Sequence, residues 1–205
     1  MRATGPGQRH PRAGRRTPPP LVLASASPRR SEILSVLGAR FESRPADVDE
    51  TPLAGEAADA LVVRLAAAKA LATDAPPPAV VLAADTAVEL DGAIFGKPGS
   101  EAEACAMLGR LSGRTHRVLT GVAVRSRGRI ATALSATNVR FREIGADEAR
   151  RYWATGEPAG KAGAYAIQGF GSLFVASIMG SYSGVVGLPV FETAALLRDA
   201  GIEFL

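Results

Sequence analysis

The sequence predicts an α/β or α+β fold around a twisted mixed sheet, and two patterns carry that prediction. Strand and helix patterns alternate over the first half of the chain, and later apolar runs pair across tight turns at Asp91-Gly92 and near Gly128. The 205 residues are 47% apolar, ample for one core.

Residues 1–20 stand apart. They hold five arginines (Arg2, Arg9, Arg12, Arg15, Arg16) and no acid, so of the formal charge of +4 the rest of the chain carries −1. Rich in Pro, Gly and Arg, this arm reads as disordered; it has no apolar stretch like that of a signal peptide and is too Pro-rich for a transit peptide. Residues 21–205 are expected to form a single domain.

"LVLASAS" (21–27) reads as a buried strand running into a helix that starts at Pro28 and ends near Gly38. Ser27 suits the N-cap, Pro28 the first helical position, and Ile33, Leu34 and Leu37 follow at helical spacing. The charges of the first turn have the wrong sign: a helix start favours acids, yet Arg29 and Arg30 stand there. A phosphate would use the free N–H groups and both guanidinium forks. In isolation a solvated basic turn explains the pair equally well. If phosphate is the partner, Arg30 is expected to serve phosphate binding and to add nothing to the stability of the free protein.

"FESRPADVDE" (41–50) looks extended and ends in Asp47, Asp49 and Glu50. A helix is expected from about Ala54 to Thr73, with Lys69 on the stripe of Leu61 and Leu65. "VVLAADTAVELDGAIFGKP" (80–98) is a β-hairpin about Asp91-Gly92. Its register sets Leu90 against Ala93, Thr86 against Lys97 and Asp85 against Pro98, with Asp85 and Thr86 on opposite faces; a bulge at Gly96 would turn Lys97 to the Asp85 side.

"SEAEACAMLGRLSG" opens with a capping box, Ser100 and Glu103, and gives a helix closing at Gly113. Two strands then flank a turn at Gly128, "ADEARRYWAT" is helical, and a Gly-rich tract occupies 160–171. "SLFVASI" reads as a strand, and a last helix begins at Pro189.

Asp85 lies in mid-strand among apolar residues, where a carboxylate is costly unless paired, metal-bound or given a task; the functional reading is preferred to a salt-bridged edge residue. The chain has 21 arginines and only three lysines, Lys69, Lys97 and Lys161, none on an evidently solvated face. Lys69 either snorkels from its helix or serves a site, and Lys97 and Lys161 read singly as turn residues. Glu32, Asp49 and Glu50 lie near the basic helix, and carboxylates beside phosphate-binding cations suit Mg²⁺ chemistry. Taken alone, Gln168 is a surface turn amide, Trp153, Tyr165 and Phe170 are core residues, and His116 is a strand-surface residue.

Other classes are disfavoured. Cys105 is the one cysteine and His10 and His116 the only histidines, so no structural zinc cluster or internal disulfide forms, and a reducing cytoplasm is expected. Asp85 breaks the longest apolar candidate for a membrane span. A slightly acidic body without a basic aromatic face argues against a specific nucleic-acid partner, and no P-loop pattern occurs.

Together, "LASASPRRSEIL", "ADVDE", "VVRLAAAKA", "AADTAV", "GKP", "LSGRTHRVLTGVAV", "GKAGAYAIQG" and "GSYSGVVGLP" resemble the Maf family of nucleoside triphosphate pyrophosphatases over nearly all of residues 21–205. Eight motifs in order make the match specific. The resemblance implies a Maf/Ham1 (ITPase-like) α/β fold with an elongated mixed sheet and a cleft between two lobes. It implies a divalent metal (Mg²⁺ or Mn²⁺), a homodimer, and hydrolysis of a nucleoside triphosphate to the monophosphate and pyrophosphate.

Carried over by motif, the catalytic aspartate falls on Asp85, and the substrate-discriminating positions fall on Arg30, Thr86 and Gln168. Ser25, Arg29, Glu50, Lys69 and Lys97 match further site positions. Asp85 would be the base and Glu50 its companion on the metal, with Glu32 a further candidate. Arg29, Arg30, Lys69 and Lys97 would hold the triphosphate. The arginine pair with the glutamine resembles the branch acting on dTTP and UTP, whereas the 7-methyl-GTP branch differs there. The competing reading is a nucleotide-binding regulator of cell division or septum formation with little turnover. Residues 1–20 are not part of the family pattern.

Overall fold

The structure is a computed structural model that describes residues 18–204, so most of the basic arm expected over residues 1–20 lies outside the described residues. The strands are β1 (Leu21–Leu23), β2 (Phe41–Ser43), β3 (Val80–Leu90), β4 (Ala93–Phe95), β5 (Thr115–Ser126), β6 (Arg129–Phe141) and β7 (Val175–Met179). They form one mixed sheet in the order β2-β1-β3-β5-β6-β7, with β4 paired to the C-terminal end of β3. β1 is parallel to β2 and β3, and every other pairing is antiparallel.

The helices are α1 (Pro28–Val36), α2 (Ala58–Ala72), α3 (Glu101–Leu111), α4 (Ala146–Ala154), α5 (Tyr182–Val186) and α6 (Val190–Asp199). Alternation along β3 assigns them to faces. Val81 and Ala83 pack with Ala66 and Ala70 of α2, while Val80, Leu82 and Ala84 pack with Leu34 of α1 and Leu197 of α6. A separate core at the other end joins Val88, Leu90 and Phe95 to Leu108 of α3 and Tyr152 of α4.

Four local expectations change. α2 begins at Ala58 rather than near Ala54, because the Glu56 carboxylate accepts from Leu53 N (2.9 Å) and from Arg64 Nε (2.6 Å) and Nη2 (2.7 Å), holding 53–56 as a turn. The hairpin register is as expected at Leu90 and Ala93, but β4 ends at Phe95. Gly96 O accepts from Gly163 N (3.1 Å) and Pro98 has no N–H to offer, so neither Thr86–Lys97 nor Asp85–Pro98 pairs and no bulge is needed. The strand expected from Ser172 is a 3₁₀ turn, Phe170–Phe174, before β7. In the capping box, Ser100 Oγ accepts from Glu103 N (3.3 Å), while the Glu103 carboxylate accepts from Gly99 N (2.8 Å), one residue earlier than the motif prescribes.

Candidate active site

The site exists because β3 has two successive neighbours on one edge and a gap between them. Leu82 is the last residue paired to β1, and Val88 is the first paired to β4. Residues 83–87 therefore have no strand beside them on that edge. A side chain from either face can be reached through the gap, which is why Asp85 and Thr86, on opposite faces, line the same cleft. The gap opens beyond the carboxyl end of β1, and ligands of open α/β sheets collect outside the carboxyl ends of strands.

The cleft has a volume of about 420 Å³, and all nine sequence-assigned positions line it: Ser25, Arg29, Arg30, Glu50, Lys69, Asp85, Thr86, Lys97 and Gln168. Glu32, exposed on α1, does not. The lining also includes Lys161, which alone read as a turn residue. Five cations against Glu50 and Asp85 give it a net charge of +3 in a body that is slightly acidic. Such a surface concentrates polyanions.

Lys69 is the hub on the α2 side. Its Nζ lies 2.6 Å from Asp85 Oδ1 and 2.5 Å from Glu50 Oε1, with only about a tenth of the side chain exposed. It is thus paired and buried, not snorkelling. Burial pushes the Glu50 carboxyl up, but the Lys69 hydrogen bond and charge, with Lys97 and Arg30 behind, bring it below its ordinary value. Lys97 Nζ is 3.7 Å from Glu50 Oε2 and remains 64% exposed, free to move toward a ligand.

The arginines differ from one another. α1 has no acid in its first turn and no side-chain cap: Ser27 takes the N-cap position, but its own N–H donates to Ser25 Oγ (3.2 Å). Arg29 donates Nε to Val186 O (3.2 Å). Arg30 donates Nε to Gly187 O (2.8 Å), Nη1 to Ser25 Oγ (3.1 Å) and Nη2 to Thr86 Oγ1 (3.3 Å). Burial draws both guanidiniums below their ordinary value, with nearby Asp85 opposing this at Arg30. Arg30 therefore ties α1 to β3 and to the end of α5, a structural role that the expectation of pure ligand binding did not include.

Beyond Arg30 the proton order is determined. Thr120 Oγ1 gives its proton to Gly184 O (2.8 Å), so at the 3.0 Å contact between hydroxyls Thr86 must donate to Thr120. Thr86 Oγ1 is then the acceptor for Arg30. The carbonyls of Val186 and Gly187 are not visible in residue types, since backbone acceptors leave no trace there. Their only signal was membership of "GSYSGVVGLP".

Gln168 is exposed in the Gly-rich segment and lines the cleft, next to buried Ile167. Tyr165 also lines the cleft and belongs to the core. Two readings are corrected. His116 is 1% exposed, with Nε2 2.9 Å from the Tyr165 hydroxyl, and burial lowers its pKa to about 4. Phe170, expected in the core, is 61% exposed because the 3₁₀ turn carries it outward. Trp153 packs partly buried against the core. Among the described residues no group of three or more His, Cys, Asp or Glu is gathered for a metal, and no helix is long and apolar enough to cross a membrane.

A sequence model described as Maf-like protein matches residues 20–200. The chain is 55% identical over 184 residues to the dTTP/UTP pyrophosphatase of Methylococcus capsulatus, covering 89% of this chain and 91% of that one. It is 55% identical over 183 residues to the dTTP/UTP pyrophosphatase of Myxococcus xanthus, covering 89% and 93%. The structure of the Staphylococcus aureus Ham1 protein shows a partial likeness, with a TM-score of 0.40 and 19% identity over 62% of this chain and 72% of that one.

Proposed function

The chain belongs to the Maf family, and from that membership we propose that it hydrolyses dTTP and UTP to the nucleoside monophosphate and pyrophosphate. The observation that supports this most is the convergence of Asp85 and Glu50 on Lys69 at the bare segment of β3, facing the cationic start of α1. Carboxylates for water and cations for phosphates share one cleft.

Water attacks the α-phosphorus, the bond from that phosphorus to the bridging oxygen of the β-phosphate breaks, and pyrophosphate leaves. Asp85 takes the proton from water as general base. Lys69 holds the Asp85 carboxylate in one orientation through the 2.6 Å contact. Arg29, Lys97 and the remaining donors of Arg30 neutralise the charge that moves onto the leaving oxygens, a positioning and electrostatic task. Ser25 and Thr86 keep Arg30 in place. Gln168 can both donate and accept along the O4/N3 edge of uracil or thymine.

The residues also fit a divalent metal, Mg²⁺ or Mn²⁺. Asp85 and Glu50 meet at a single ammonium, and one or two carboxylates together with substrate oxygens are what Mg²⁺ takes from such sites. These two side chains would hold it. When bound, the metal supplies further neutralisation of the phosphate oxygens.

The reading brings with it a homodimer, a cytoplasmic location and no specific nucleic-acid partner, which sizing, fractionation and DNA-binding measurements test. A regulator that binds without turnover is not favoured, because the relatives at 55% identity are named as pyrophosphatases. The decisive assay is a panel of dTTP, UTP, CTP and GTP with Mg²⁺ or Mn²⁺, scored for pyrophosphate. Pyrophosphate from dTTP and UTP is expected. Tight binding without turnover, or release of orthophosphate, overturns the proposal.

A further inference from the structure

We propose that Glu157, together with Tyr152, is a positioning residue that sets Gln168 for reading the nucleobase and so governs choice among nucleotides. The inference rests on the base-reading role of Gln168 proposed above. Neither Glu157 nor Tyr152 lines the cleft, so any effect they have on substrate passes through the segment they hold.

Gln168 sits in a tight turn closed by Gly169 N donating to Ala166 O (3.2 Å), with Ile167 and Gln168 as its central residues. Both ends of this turn are fastened from behind. Ala166 N donates to the Tyr152 hydroxyl oxygen (3.0 Å). Phe170 N donates to Glu157 Oε2 (2.9 Å) and Gly171 N to Glu157 Oε1 (2.9 Å). The Tyr152 O–H donates to Glu157 Oε1 (2.7 Å), joining the two anchors. Burial pushes the Glu157 carboxyl up, but these donors outweigh it and leave it below its ordinary value, so it accepts as a carboxylate.

The flanking residue types are cut to this clamp. A Cβ at Gly169 would lie 2.5 Å from Glu157 Cδ, and one at Gly171 would lie 2.6 Å from Ala166 O and 2.7 Å from the Tyr152 oxygen. Only glycine lets the backbone close this far onto the carboxylate and the phenol. Ile167, 4% exposed, pins the turn to the core from the other side. A side chain that recognises a base edge needs such support, since a misplacement of about 1 Å loosens the hydrogen bonds it offers.

Glu157→Gln tests this. The amide keeps the volume but replaces one accepting oxygen by an NH₂, leaving at least one of the three donors unmatched. The ratio of kcat/KM for dTTP to that for GTP should fall by ~10-fold or more, mainly through KM for dTTP, the scale of one mispaired buried polar contact. Glu157→Asp should restore part of it. Tyr152→Phe is the second variant, with a smaller fall in the same ratio, and it stands in where Glu157→Gln does not fold. In a Gln168→Ala background the Glu157 substitution should no longer change the ratio.

An unchanged ratio, an equal loss for every nucleotide, or the same fall in the Gln168→Ala background overturns the inference. In the unliganded wild-type protein, hydrogen exchange should show the Phe170 and Gly171 amides protected; fast exchange at both overturns the clamp itself. A wild-type enzyme without pyrimidine preference overturns instead the base-reading role of Gln168, a result distinguishable from the others because it needs no variant.

Discussion

Asp85 and Gly121 are directly opposed across β3 and β5, and α2 rests on that pair. A Cβ at Gly121 would lie 2.5 Å from the carbonyl carbon of Val62 and closer still to its oxygen. The missing side chain lets α2 descend onto the sheet at Val62. Two turns further along the same helix face, Lys69 then reaches Asp85. A glycine on one strand thus sets the contact of the aspartate on the next.

Gly121→Ala should lower both stability and activity. Backbone atoms cannot swing aside as a flexible side chain can, so α2 must lift, at a cost of ~1–3 kcal/mol, typical of overpacking. Thermal unfolding should show a melting temperature lower by several degrees, and turnover should fall with Lys69 displaced. An unchanged melting temperature would show that α2 tolerates the methyl group.

Asp85→Asn should abolish turnover while preserving the fold, with a loss of ~10² to 10⁴ in kcat, the scale of one general base. The amide keeps the shape, and Lys69 retains Glu50 as its partner. Activity within about threefold of wild type, on the same scale, would remove Asp85 from the mechanism.

Arg29→Ala and Arg30→Ala should separate. Arg30 makes three hydrogen bonds, to the loop at Ser25, to β3 and to the end of α5, so its loss should raise KM and also cost ~1–3 kcal/mol in the free protein. Arg29 makes one bond, and its removal should raise KM with little change in melting temperature. Nucleotide kinetics alongside unfolding of both variants check this; equal stabilities would return Arg30 to a purely ligand-binding role.

His116 should make the protein acid-sensitive in a defined window. Burial holds its pKa at about 4, below the ordinary value of 6.5, so between these values the unfolded chain binds a proton that the folded one refuses. Stability from this group is fully present above pH 6.5 and is lost as pH falls toward 4, reaching roughly 3 kcal/mol at the acid end. His116→Gln can still hydrogen-bond Tyr165 but does not titrate, and should flatten the slope of stability against pH in that window. The same slope in both proteins would assign it to other groups.

Local chemistry was legible in the residues themselves. The Pro28 helix start with its misplaced arginines, the Asp91-Gly92 turn, the Ser100 cap and the aspartate inside an apolar strand each follow from interactions within a few positions. Their signals therefore survive in the order of residue types. The motif resemblance then named the nine cleft positions together. Short-range patterns fail beyond their range: the hairpin ladder does not continue to Lys97, nor the helix back to Ala54. Each time one longer contact prevailed, Gly163 N on Gly96 O in the first case and Arg64 on Glu56 in the second.

Only the tertiary structure decided that residues 83–87 have a bare edge, that Lys69 stands between Asp85 and Glu50, and that the carbonyls of Val186 and Gly187 receive the arginines. It also decided that His116 faces a core and Phe170 does not. These facts depend on which strands are neighbours and where their pairing stops. A strand pattern specifies alternation but not its neighbour, and a backbone carbonyl is the same at every residue. Both are settled only when segments more than a hundred residues apart, such as Arg30 and Gly187, pack against one another and must satisfy each other's polar groups.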